Sequence, residues 1–100
     1  MEKLSNERLF NPGRVVATPG ALDLIERFNI NYRDYLDRHL AGDWGDMCDE
    51  DKAANDKAIG EGTRIFSAYQ VTEEDRLWVI TEADRSGTTF LLPVEYQKEY

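Results

Sequence analysis

Carboxylates are the groups in this chain dense enough to act together. Asp43, Asp46, Asp49, Glu50 and Asp51 crowd into Gly42-Asp43-Trp44-Gly45-Asp46-Met47-Cys48-Asp49-Glu50-Asp51-Lys52. Oxygen ligands at that density suit a hard cation. The run lacks the glycine and distal glutamate of an EF-hand loop. No metal is therefore expected, and the acids read as a solvated loop and helix start or as a docking surface for a protein. Trp44, set between Gly42 and Gly45, is either a recognition aromatic or an anchor that plugs a turn into the core. A second polar group is Glu82-Ala83-Asp84-Arg85-Ser86, with a carboxylate, a guanidinium and a hydroxyl within five residues. It offers contacts to a polar ligand or partner loop, or simply builds a turn.

Nucleophilic and metal chemistry have little to work with. His39 and Cys48 are the single residues of their kinds, so a His/Cys zinc cluster is excluded. A Cys–His pair needs spatial closeness that spacing does not supply. His39 shares an apolar helical stripe with Tyr35 and Leu36, the place of a core-edge histidine. Neither Ser67 nor Ser86 sits in an activated-serine motif. No catalytic residue and no cofactor are expected.

The charge balance narrows the partners. Net charge is −8. Residues 1–42 hold six acidic and six basic groups, whereas residues 43–61 hold seven acidic against two lysines. The excess thus begins at the central stretch. Such a chain repels nucleic acid backbones and attracts basic surfaces. Its basic residues form no patch with interleaved aromatics, so direct nucleic-acid binding is not expected. Carboxylates on the third helix alternate with Lys52, which spoils a duplex mimic. The chain has no apolar run of ~18 residues for a membrane span, and its first residues lack a signal-peptide core. With one cysteine and no disulfide, the cytoplasm is the expected compartment.

The elements that must position these groups are readable in order. One hundred residues make one domain. Residues 1–13, ending in the turn signal Asn11-Pro12-Gly13, are expected as a flexible tail, and 14–100 as the domain. Arg14–Ala17 is a short β-type run. Thr18-Pro19 is an N-cap followed by proline at the first helical position. Ala21, Leu24, Ile25 and Phe28 then make an apolar stripe, predicting a helix over 19–28. Asn31 caps a second helix with the stripe Tyr32, Tyr35, Leu36, His39, Leu40, ended by Gly42. Arg33–Asp37 and Asp34–Arg38 are spaced as i, i+4 ion pairs on its outer side. A third helix starts within Asp46–Asp49 and runs to about Ile59 with a thin apolar face. Strands follow at 64–71, 76–82 and 88–92, the last two joined by a turn with Gly87 at its left-handed position. The fold class is α+β: a three- to four-stranded antiparallel sheet, a C-terminal meander, covered on one face by two to three N-terminal helices.

Three stretches carry a resemblance: Arg14–Gly20 (Arg-Val-Val-Ala-Thr-Pro-Gly), Gly42–Lys52, and Trp78–Pro93, which includes Thr-Glu-Ala-Asp-Arg-Ser. They resemble a family of small plasmid- and phage-borne bacterial proteins, labelled plasmid-related proteins and in some cases type I restriction-modification subunits. The resemblance implies a mobile-element setting in a bacterial cytoplasm. It implies no methyltransferase, for which this chain is too short and lacks a Gly-rich loop after a strand.

Together these readings favour a non-enzymatic interaction module that modulates a host or defence system. Asp43, Trp44, Asp46, Asp49, Asp51, Glu82, Asp84 and Arg85 are its candidate partner-binding residues. The expected partner is a protein with a basic surface, and the chain itself is a monomer or homodimer. The competing expectation is a small ligand-binding domain or enzyme, with a pocket between the Gly42–Lys52 stretch and the Glu82–Ser86 hairpin.

Overall fold

Local caps set where the helices begin. The computed structural model describes residues 8–96. Thr18 Oγ1 accepts the amide of Ala21 at 3.3 Å, and Pro19 opens helix α1 (Pro19–Arg27). Asn31 Oδ1 accepts the amide of Arg33 at 3.2 Å and opens α2 (Tyr32–Leu40). Helix α3 (Asp49–Glu61) has no side-chain cap at Cys48. Asp49, Glu50 and Asp51 fill its first turn instead, where negative charge suits the positive end of the helix dipole. Gly62, at φ +71°, supplies the left-handed residue that ends it.

Strands β1 (Arg14–Ala17), β2 (Ile65–Gln70), β3 (Arg76–Thr81) and β4 (Gly87–Leu91) form one sheet in the order β1-β4-β3-β2. The α+β class is as expected, and β2, β3 and β4 make the antiparallel meander. The fully antiparallel sheet is corrected by β1, which pairs with β4 in parallel, Arg14 opposite Gly87 and Ala17 opposite Phe90. Parallel neighbours need a long crossover. Here the whole of residues 18–86 separates the two strands, so the connection places no limit on direction. The β3–β4 turn also differs from expectation: Arg85, at φ 62°, is its left-handed residue, not Gly87.

One face of the sheet meets the helices. Tyr69, Leu77, Val79 and Phe90 pack with Ala21 and Leu24 in the main core. Helix α1 turns its stripe inward except at the end, where Phe28 stays 48% exposed. A smaller cluster joins Trp44, Ala58 and Ile65 beside α3. The opposite face carries Phe66, Trp78, Ile80 and Leu91, and the chain folds back over it after β4. The Tyr96 ring centroid lies 5.7 Å from that of Trp78. A short 3-10 turn at Pro93–Glu95 brings the Glu95 carboxylate to the start of α1, where it accepts from Thr18 Oγ1, the Gly20 amide and the Leu92 amide.

The tail expected over 1–13 lies outside the described residues as far as residue 7. From there the chain is docked. The amide of Leu9 donates to the carbonyl of Leu40 at 2.8 Å, Phe10 packs on the smaller cluster, and Pro12 is buried.

Candidate functional site

The acidic stretch wraps the outer edge of β2 before α3 begins. Gly45 forms a parallel bridge to Ala68. The amide of Asp46 donates to the Ala68 carbonyl at 2.7 Å, and the Ala68 amide donates to the Trp44 carbonyl at 3.1 Å. Only glycine fits at 45: it has φ +78°, and a Cβ there would lie 2.1 Å from the Ala68 carbonyl oxygen. Trp44 points inward. It is 3% exposed, and its Nε1 donates to Asp56 Oδ1 at 3.0 Å. Of the two readings open for Trp44, its burial matches the anchor: the ring sits in the smaller cluster.

The acids divide by role. Asp43 is a structural acid: Arg38 Nε donates to its Oδ2 at 2.7 Å and the Gly45 amide to its Oδ1 at 3.2 Å. The Arg38 hydrogen bond, with the Gly45 amide, holds its carboxyl below the usual range. Arg38 thereby pairs with Asp43, not with Asp34 as its spacing suggests, and lies 4.6 Å over the Tyr69 ring. Asp46, Asp49, Glu50 and Asp51 are exposed, and none makes an ion pair within the described residues. Asp49, Glu50 and Asp51 in the first turn of α3, with Asp46 just before it, form its exposed acidic head.

The hairpin residues are committed elsewhere. Asp84 Oδ1 accepts the Ser86 amide at 3.0 Å, a turn-building bond. Glu82 sits 3.7 Å from Arg64 in a half-exposed pair. Arg85 Nη1 donates to the carbonyls of Thr63, Glu82 and Ala83, and Nη2 donates to that of Ala58 at 2.9 Å. Its guanidinium also lies 5.6 Å over the Phe10 ring. Arg85 is thus a staple between hairpin, N-terminal segment and the end of α3, with both terminal nitrogens engaged by main-chain carbonyls.

Helix α3 sets the exposed acids at its start apart from Arg85. Asp49 stands at its first residue, and Arg85 grips Ala58 near its last turn. Nine residues at 1.5 Å rise separate them by roughly 14 Å. Where the stretches come nearest, Phe10 fills the space: its ring lies 6.3 Å from that of Trp44 and 5.6 Å from the Arg85 guanidinium. Glu82 instead borders a half-open cavity of about 190 Å³ on the outer sheet face, floored by Ile80 and Leu91. Its polar groups already serve each other. Arg64 donates to the Tyr96 hydroxyl and pairs with Glu82, and Glu95 accepts from three donors.

Sequence reading missed a polar chain in the interior. His39 is 0% exposed. Its Nδ1 lies 2.6 Å from Ser67 Oγ and its Nε2 2.9 Å from Thr81 Oγ1. Thr81 Oγ1 lies 2.7 Å from Thr88 Oγ1, which donates to the Pro12 carbonyl at 2.7 Å. That carbonyl can only accept, so it fixes every proton in the row. Thr88 donates to Pro12, Thr81 to Thr88, and His39 Nε2–H to Thr81. Nδ1 of the neutral ring then accepts from Ser67. Burial pushes the imidazole down to about 3, which keeps it neutral. A serine hydroxyl on a histidine nitrogen has the makings of a nucleophile, but Ser67 is 0% exposed and no substrate reaches it. The chain is structural: it satisfies buried hydroxyls and ties the docked N-terminal segment to the sheet. Its partners lie 28, 42 and 76 residues apart in sequence, too far for any local motif to announce them.

Among the described residues no three His, Cys, Asp or Glu side chains converge as a metal ion requires, and no helix is long and apolar enough to cross a membrane. No protein-family model matches the chain, and no curated protein or solved structure matches it significantly.

Proposed function

We propose that this protein works by docking another protein, without catalysis, and that a basic surface of that partner meets the acidic head of α3. One observation carries the reading. Asp46, Asp49, Glu50 and Asp51 are exposed and unpaired among the described residues, on a segment tied to β2 by the Trp44 and Asp46 main chain at one end and by Asn55 of α3 at the other. Carboxylates held in place without an internal counter-charge steer a basic partner and set its register. The potential nucleophilic pair, by contrast, is sealed and its protons are committed. The family resemblance adds the setting: an accessory protein of a mobile element in a bacterial cytoplasm, acting on a host or defence system, with inhibition of a defence nuclease as one form of that action.

Affinity capture from a bacterial extract tests this. The wild type is compared with an Asp46→Lys, Glu50→Lys variant whose circular dichroism matches it. Retention of a basic protein by the wild type alone, and its release by salt near ~0.5 M, is the expected result. Equal capture by both proteins, unaffected by salt, would refute the acidic docking surface.

A further inference from the structure

The two edges of the sheet are finished differently. The outer edge of β2 is closed, because the Ala68 amide and carbonyl bond to the 44–46 segment, and those of Phe66 bond to the Asn55 side chain at 3.1 and 2.7 Å. The outer edge of β1 is open. Arg14 and Thr18 donate inward to Ser86 and Phe90 of the β4 side. By strand alternation Val15 and Ala17 aim their amides and carbonyls outward, and among the described residues no hydrogen bond reaches them. Natural sheets guard such an edge with charge, proline or a bulge. β1 is short and opens on Arg14, but its outward-bonding stretch Val15-Val16-Ala17 carries no charge, proline or bulge.

Apolar side chains gather at the same edge. Val16 is 42% exposed, Leu22 48% and Tyr32 37%. With Val15, Ile25 and Phe90 they line an open cavity of about 270 Å³. An open ladder beside an apolar groove calls for an extended strand with small apolar side chains.

We infer that a second copy of this chain occupies the edge, with β1 pairing antiparallel to its twin about a two-fold axis at Val16. In that register Val15 of each copy pairs with Ala17 of the other, which uses every outward amide and carbonyl of both. The two Val16 side chains meet at the axis, and the Leu22 and Tyr32 pairs close over the helix side. The outward pair Val15 and Ala17 is self-complementary, which favours a second copy as occupant, and charge permits it. The segment Arg14–Tyr32 holds two arginines and two acids, neutral ground in a molecule of net charge −8. The acidic head of α3 lies beyond β2, at the far end of the sheet. A joint at β1 gives an eight-stranded sheet with the two β2 strands seven spacings apart, roughly 34 Å at ~4.8 Å each. That exceeds a Debye length of ~8 Å several times over, so the acidic ends do not repel. The interface is isologous and closed, which stops further growth.

Sedimentation equilibrium of the full chain tests the inference. The wild type is expected at twice the 11.5 kDa chain mass, dissociating on dilution. Ala17→Pro removes an outward amide on each copy without touching the bonds to β4, and Leu22→Lys places charge on the groove wall. Ala17→Pro deletes two interface hydrogen bonds per dimer and Leu22→Lys buries charge against the groove, and each is expected to raise the dissociation constant about tenfold or more, about 1.4 kcal/mol per factor of ten. Amide exchange of Val15 and Ala17 in the wild type, slowing as concentration rises, gives the same answer without a variant. A wild type that stays monomeric at millimolar concentration overturns the inference, as does a dimer indifferent to both substitutions or one whose Val15 and Ala17 amides exchange freely. A monomer that instead takes up an apolar extended peptide at this edge overturns it in favour of a foreign strand.

Discussion

His39 is the residue whose chemistry is most altered by the fold. Its ordinary pKa is about 6.5, and burial lowers it to about 3. The folded state therefore refuses a proton that the unfolded chain accepts, and stability falls as pH drops through that window. The expected loss is about 1.4 kcal/mol per pH unit from pH ~6.5 toward ~3, flattening above pH 7. Urea midpoints across that range measure it, and His39→Gln should flatten the slope. Asp43 acts in the same direction in a lower window: its carboxyl is depressed by Arg38, so its contribution holds above the ordinary carboxylate range and fades below it. Trp44→Ala is expected to cost about 3–5 kcal/mol through the cavity it leaves in the smaller cluster. Thermal melts check this, and a melt within a few degrees of wild type would contradict the anchor role. Trp44 and Arg85 looked like contact residues in sequence because their types favour interfaces. What sequence did not carry was the set of long-range acceptors and the small cluster that claim them.

At the scale of elements, the edge of β2 and the start of α3 act as one unit. Asn55 on α3 bonds both main-chain groups of Phe66, and Gly45 brings the preceding loop against Ala68. Asn55→Ala leaves both Phe66 groups without partners, and a loss of about 2–3 kcal/mol is expected in denaturant unfolding. Gly45→Ala combines a left-handed backbone with a collision on a carbonyl. It is expected to detach the loop, seen as rapid exchange of the Asp46 and Ala68 amides, whereas slow exchange would show that the close approach is dispensable. The helices and the meander were legible because caps, stripes and alternation are local properties. The direction of β1 was not, since four residues of β-type sequence say nothing about which strand they join. Phe28 sits on a regular stripe and still faces solvent, at the cap position just past the last residue of α1.

At the scale of the molecule, charge and apolar surface lie at opposite ends of the sheet. The open β1 edge is near-neutral and apolar, and the closed β2 edge supports the exposed acidic head of α3. The uneven charge was already plain in the sequence, and so was the acidic stretch. Its separation from the hairpin was not, because only the packed helix sets that distance. The measurement that tests the docking surface most directly is the affinity of the captured partner for this protein, titrated calorimetrically between about 50 and 500 mM salt. With the wild type, affinity should fall steeply with salt, and the Asp46→Lys, Glu50→Lys variant should bind at least about tenfold more weakly at the low end. An affinity that ignores salt and is the same for both proteins would place the interface elsewhere on the molecule and contradict the proposed role of α3.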